Sequence, residues 1–192
     1  MKLNLGAGRN PMSGYVNVDR AALPGIGVVH DLESFPLPFD DDTFDEVIGI
    51  DLIEHITDAL GLMQELWRVA RPDAVCVFEL PYGSSDDAWE DPTHVRPYFV
   101  QSWGYFSQPF YWRADYGYRG DWQPEAVTLA VCCDGDTPEE IMLQVNALRN
   151  AVSRQRVTLR AVKPARPCAR ELIVLPKIEL RHQEERQAWL EH

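Results

Sequence analysis

Lys2-Leu3-Asn4-Leu5-Gly6-Ala7-Gly8, followed by Tyr15-Val16-Asn17-Val18-Asp19, is the stretch that decides the fold. A short apolar run breaks at a Gly-x-Gly turn, and a second apolar run ends on an acid. This is the opening of a Rossmann-like sheet, in which glycines let the backbone approach a ligand and the acid accepts ribose hydroxyls. Taken alone, such a turn is weak evidence, because many are only bends. A dinucleotide site asks for a third glycine and an acid about 20 residues further on. Here Asn10-Pro11 occupies the place of that glycine, and Asp19 arrives much sooner. A pyrophosphate resting on a helix N-terminus is poorly served by this turn, so NAD is the weaker reading.

Working outward, Gly27-Val28-Val29-His30-Asp31 reads as a third strand. Phe44 to Ile50 reads as a buried fourth, introduced by the acidic turn Asp40-Asp41-Asp42. Leu60, Met63, Leu66, Trp67 and Ala70 recur at three-to-four spacing, which predicts an amphipathic helix over 57–70, closed by Pro72. Val75 to Leu80 is a fifth strand, ended by Pro81. Near-continuous apolar strands with a helical crossover predict a parallel sheet covered on both faces. Residues 81–125 break this rhythm with a dense run of aromatics, Gly, Pro and Asp. So long a structureless loop is unusual in a compact domain, so the segment is expected to fold as a cap of short elements. The sheet resumes at Ala126–Val131. Thr137-Pro138-Glu139-Glu140 has the form of a capping box with proline at the first helical position, opening a helix to about Asn150. Further strands are expected around 156–162 and 171–180. The fold class is therefore α/β, a doubly wound, mostly parallel sheet of the seven-stranded type. Residues 1–192 form one domain carrying an inserted cap at 81–125.

The bulk properties narrow the partners. A chain of 192 residues with 45% hydrophobic and 25% charged residues is an ordinary globular composition. Its net charge of −12 argues against a nucleic-acid partner, although Lys and Arg gather after Arg149. No apolar run approaches the roughly 20 residues that cross a bilayer. The N-terminus reaches Gly6 too soon for a signal peptide. Cys76, Cys132, Cys133 and Cys168 lack zinc-site spacing, and the adjacent pair is a poor disulfide scaffold. They are expected to be idle thiols in a reducing, cytoplasmic protein. Asp91 and His94 with His30, Asp86 or Asp87 give no diagnostic ligand spacing, so no metal site is expected.

LNLGAG, VNVD, HDLESFPLPFDDDTFDEV, DLIEHI and RVARPDA, in this order over about residues 3–82, resemble the successive signatures of class I S-adenosylmethionine-dependent methyltransferases, especially the type 11 group. The resemblance implies that Leu5, Gly6, Ala7 and Gly8 line the methionine and ribose portion of S-adenosylmethionine. It implies that Asp19, with Arg20 beside it, binds the ribose. Asp31 and Leu32 sit where such enzymes hold the adenine, and Asp51 and Leu52 border the methionine and the transferred methyl. Glu54-His55 matches a common Glu-His pair, read either as catalytic or as a helix-cap pair orienting the loop. The chain departs from the pattern in three places. It starts at the first strand, without the covering helix that usually precedes it. The first crossover has no room for a helix. The usual Arg-Pro-Gly-Gly reads Arg71-Pro72-Asp73-Ala74. The resemblance then implies a more open cofactor pocket, or one covered by 81–125 or by a second subunit in a homodimer.

Methyl transfer from a sulfonium is an in-line displacement that needs orientation, desolvation and sometimes a base. Asp91, His94 and Arg96 fall close together just beyond the fifth strand, at the ligand end of such a sheet, which makes His94 the candidate base beside Asp91 and His55. The alternative for His94 is a loop histidine that bonds to backbone. The (D/N/S)PP(Y/F/W) tetrad of amino-methylating DNA enzymes is absent after strand four. The leading expectation is methylation of a small molecule or saccharide. The alternatives are a protein or RNA methyltransferase docking through Arg149, Arg154, Arg156, Arg160, Lys163, Arg166 and Arg170, and a non-catalytic domain of the same fold.

Overall fold

In the computed structural model, residues 1–184 are described; residues 185–192 of the expected domain lie outside that range. Eight strands form one sheet: β1 (Lys2–Leu5), β2 (Val16–Asp19), β3 (Val28–Val29), β4 (Phe44–Ile50), β5 (Ala70–Pro81), β6 (Trp122–Val131), β7 (Val152–Ala161) and β8 (Lys177–His182). Their order is β3-β2-β1-β4-β5-β7-β6-β8. Only β7 runs antiparallel to its neighbours. The expected Rossmann-like, mostly parallel sheet is present, with β8 added beside β6.

Helix α1 (Ala59–Val69) buries Met63 and Leu66 as expected, but its stripe is completed by Leu62 and Val69, while Leu60 and Trp67 are only partly buried and Ala70 already belongs to β5. The Asp58 carboxylate caps it by accepting from the Gly61 N–H at 2.8 Å. The chain passes from Val69 directly into β5, so that strand begins five residues earlier than the apolar run suggests, and Ala70 pairs with Phe44 before a register shift restores regular pairing at Glu46↔Val75. Helix α2 (Asp87–Glu90) is a single turn. Helix α3 (Pro138–Ala147) begins where the capping signal placed it, with Thr137 accepting from Glu140 N. The reciprocal half differs: Glu140 accepts from Asp136 N rather than from the cap residue. Residues 170–172 form a 3-10 turn, and the last strand starts only at Lys177.

The cover of the sheet departs from expectation. Register places Leu3, Leu5, Val18, Val47, Cys76, Phe78, Val157 and Leu159 on one face. All are buried and belong to the single apolar cluster with α1. The opposite face carries Lys2, Glu46, Val75, Val77, Arg156, Thr158, Arg160 and Glu179, half-buried or exposed, beside buried Asn4, Asn17, Ile48 and Glu79, and none of these joins that cluster. Among the described residues no helix packs on this second face. The crossovers 6–15 and 20–27 are too short, and too rich in Gly and Pro, to form one. The open face is satisfied by cross-strand polar pairs such as Lys2–Glu46 at 2.8 Å and Arg160–Glu125 at 2.9 Å.

The aromatic segment after β5 is built of short elements, as its composition asked: α2, then 3-10 turns at Val100–Phe106 and Gln108–Trp112. It forms the second half of the layer beside α1. Trp103 is fully buried, stacks between Phe78 and Tyr98, and donates from Nε1 to Gln155 Oε1 at 3.0 Å.

Candidate functional site

The carboxyl ends of β1, β2 and β4 open onto a cleft of about 470 Å³. The Gly6 and Gly8 backbones lie at φ +59° and +50°, a left-handed conformation that costs a Cβ-bearing residue roughly 1 kcal/mol or more. At Gly6 a Cβ would also meet Leu52 Cδ1 at 2.9 Å. Asp19 locks this turn: one carboxylate oxygen accepts from Gly8 N and the other from Ala21 N, both at 2.8 Å. A carboxylate offers about four lone-pair directions, so acceptor capacity toward a ribose remains.

Gly6, Asp19, Arg20, Asp31, Leu32, Asp51 and Leu52 all line this one cleft, so most of the residues singled out for a cofactor are brought together. Leu5 and Ala7 are buried beneath the turn, and Gly8 is tied to Asp19 just behind the lining. Asp31 closes its own turn by accepting from Glu33 N at 3.0 Å. Sequence reasoning missed Glu33, which reaches across the mouth and accepts from Thr57 N and Asp58 N at 2.7 and 3.1 Å. His30, weighed in the sequence only as a metal ligand beside Asp91 and His94, lines this cleft instead, with its Nε2 on Ser34 O at 2.8 Å.

Asp51 has φ +47°, which an Asp tolerates better than most residues. Its side chain pairs with Arg154 Nη2, and Arg154 in turn reaches Glu79 Oε1 from Nε at 3.3 Å. Arg154 is therefore a buried anchor for the strand ends, which no local sequence signal announced. The other basic residues proposed as a docking face are also spoken for. Arg149 pairs with Asp86, Arg160 with Glu125, Lys163 with Asp42 and Arg166 with Asp121, while Arg156 lies 3.6 Å from Glu79. Arg170 stacks over Trp112. Each is engaged by a carboxylate or an aromatic ring of this chain.

Beside the cleft lies a cluster drawn from two segments. Glu54 and His55 sit in a short 3-10 turn after β4, and Asp91, Thr93 and His94 follow α2. A backbone bond from Val95 N to Glu54 O, at 2.8 Å, clips the segments together. The His55 and His94 rings meet edge to face at 4.7 Å. His55 and Thr93 line the cleft, whereas His94 lies behind them with its Nδ1 on Ala88 O at 3.2 Å. The hydrogen bonds fix the tautomers. The Thr93 hydroxyl has one proton, and the nearby Asp91 oxygen at 2.6 Å accepts it. Thr93 Oγ1 therefore accepts from His55 Nδ1 at 3.0 Å, so that in the neutral ring Nε2 holds the lone pair. Glu54 is only 3% exposed, and neither of its carboxylate oxygens has a hydrogen-bond partner. Burial, aided by the nearby Asp51 charge, pushes its carboxyl up to about 7. Arg96 is held by donating to Thr57 O at 2.9 Å.

The cysteines are free, and Cys76 is buried, which pushes its thiol up. No helix among the described residues is long and apolar enough to cross a membrane.

Comparison with known proteins agrees with this geometry. Residues 8–78 match the methyltransferase domain family. No curated protein matches the chain. Among solved structures, the YcgJ protein of Bacillus subtilis is similar over 84% of this chain and 92% of its own, at 15% identity and a TM-score of 0.53. An S-adenosylmethionine-dependent methyltransferase from Archaeoglobus fulgidus matches over 83% of this chain and 85% of its own, at 15% identity and TM-score 0.53. A possible histamine N-methyltransferase from Thermotoga maritima matches over 84% and 82%, at 11% identity and TM-score 0.53. Residues 8–78 thus match a methyltransferase-domain family, and the chain shares the Rossmann-like fold of the S-adenosylmethionine-dependent methyltransferases it is similar to.

Proposed function

We propose that the cleft at the ends of β1, β2 and β4 binds S-adenosylmethionine and that the protein transfers its methyl group to a small molecule or saccharide. The observation that carries this reading is the convergence of Gly6, Asp19, Asp31–Leu32 and Asp51–Leu52 on one cleft whose wall is His55 and Thr93. Asp19 takes the ribose hydroxyls, with Arg20 at the rim. Asp31 and Leu32 take the adenine. Asp51, held by Arg154, faces the methionine end. Bound there, S-adenosylmethionine would supply an activated methyl for direct displacement by the acceptor's lone pair, with S-adenosylhomocysteine as the leaving group. His55 Nε2 would receive the acceptor's proton. In this reading Asp91 acts through Thr93 to hold the His55 tautomer, and His94 backs the ring.

A second cleft of about 400 Å³ supports a small, ring-bearing acceptor. Residues 96–99 continue the wall begun by Thr93, and Arg96, Phe99, Tyr105 and Tyr116 surround this space. Tyr105 and Tyr116 are more than half exposed, which suits stacking on the apolar face of a sugar or similar ring. A protein or RNA acceptor is disfavoured, because the basic residues after Arg149 are committed to separate carboxylates and to Trp112.

The test is transfer of label from methyl-tritiated S-adenosylmethionine to panels of small hydroxylated compounds, saccharides, bulk protein and RNA. Label in a small-molecule or saccharide pool, lost in His55→Ala, supports the proposal. Label confined to protein or RNA, or none in any pool, contradicts it.

A further inference from the structure

We propose that Glu54, His55 and His94 form a binding site for one divalent first-row transition-metal ion at the wall of the cofactor cleft. One donor atom from each of the three residues lies within 4.8 Å of the other two. Two imidazoles and a carboxylate suit zinc, iron, cobalt or manganese, and three protein ligands leave coordination positions open for water or substrate. No recognisable ligand spacing exists in the chain because the donors come from two segments, one after β4 and one after α2.

The hydrogen-bond pattern carries the argument further than proximity does. His94 Nδ1 faces the Ala88 carbonyl, which can only accept, so this nitrogen carries a proton and in the neutral ring Nε2 holds the lone pair. His55 Nδ1 is likewise committed to Thr93, whose own hydroxyl proton goes to Asp91. Each ring is thus anchored through Nδ1 by an outer partner and has Nε2 left to offer. That is the usual arrangement around a metal-bound histidine. Glu54 adds two buried oxygens with no hydrogen-bond donor. The cluster brings these acceptor atoms together. A buried acceptor left without a donor is destabilising. A cation answers all three acceptors at once.

Because His55 and Thr93 line the cofactor cleft, a bound ion would stand at its wall, open to an acceptor that reaches the methyl group there. There it would coordinate the acceptor oxygen as a Lewis acid and ease loss of its proton to solvent, taking over the part given above to free His55. That use rests on the proposed methyl transfer. The ion site does not, and its test involves no turnover.

Full-length protein is stripped with chelator and dialysed, then titrated with Zn²⁺ by calorimetry and with Co²⁺ by visible absorption. The expected result is one tight site per chain, with Co²⁺ bands in the visible. Affinity should fall more than tenfold in Glu54→Gln and in His94→Ala. His30→Ala, which alters a cleft histidine outside the cluster, should bind as the wild type does. Thermal melts of the stripped variants confirm that they are folded, and the half-exposed His55→Ala offers a third variant least prone to misfolding. Absence of a site, or a site unchanged in folded Glu54→Gln and His55→Ala, overturns the proposal. A failure to find any methyl acceptor would leave the titration result untouched.

Discussion

The two faces of the sheet are built from the same strands and obey different physics. On the covered face Leu3, Phe78, Leu80, Val157 and Leu159 are essentially inaccessible to solvent and pack against α1 and the aromatic segment. On the open face the intervening residues are Lys2, Glu46, Val77, Arg156, Thr158 and Arg160, joined by cross-strand polar pairs. Burying a large apolar side chain stabilises by about 1.5–3 kcal/mol, whereas an exposed ion pair contributes about 0–1 kcal/mol. Stability should therefore reside almost wholly on one side. The other side is free to carry charge, and its buried exception, Arg154 with Glu79, stands at the strand ends where it fixes Asp51.

Neighbouring residues on β5 give the sharpest contrast. Phe78→Ala should cost about 3–5 kcal/mol, lowering the melting temperature by roughly 10 °C or more. Val77→Thr, one residue away and half-buried on the open face, should cost under about 1 kcal/mol. Equal losses in chemical denaturation would break the one-sided picture.

Arg154→Ala comes next. It removes the ion pairs that Arg154 makes with Asp51 and with Glu79, whose carboxylate is 1% exposed, so a loss of about 3 kcal/mol is expected. Adding Glu79→Gln should recover a good part of that loss. A double variant no more stable than Arg154→Ala would show that the buried charge is not the cause.

The smallest effect belongs to Arg160→Ala, whose partner Glu125 is also substantially exposed. It should cost about 0.2–1 kcal/mol, and less in 1 M salt. A loss above about 2 kcal/mol, unaffected by salt, would mean that the open face is covered in solution.

Strands β1, β2 and β4 and helix α1 were legible because their apolar periodicity is local, and the cofactor cleft because its residues follow the strand ends in order. Pro72 misled: it reads as a helix stop followed by a loop, yet Ala70 already pairs with Phe44 in the sheet. The missing second layer was half visible, since the crossover after Gly8 has no room for a helix. Near-continuous apolar strands nevertheless suggested two covered faces. Asn4, buried although polar, shows why the pattern deceived: it bonds to Asn17 at 2.8 Å and needs no apolar neighbour. Arg154 and the Glu54–His94 contact were not legible, because each joins segments far apart in the chain and no spacing rule spans them.

The central claim is that the glycine-turn cleft is an S-adenosylmethionine site, and calorimetric titration of the cofactor tests it most directly. The account predicts saturable one-to-one binding that weakens at least tenfold in Asp19→Ala, which removes both the ribose acceptor and the lock on the Gly8 amide. No binding at millimolar cofactor, or binding undiminished in Asp19→Ala, would contradict it.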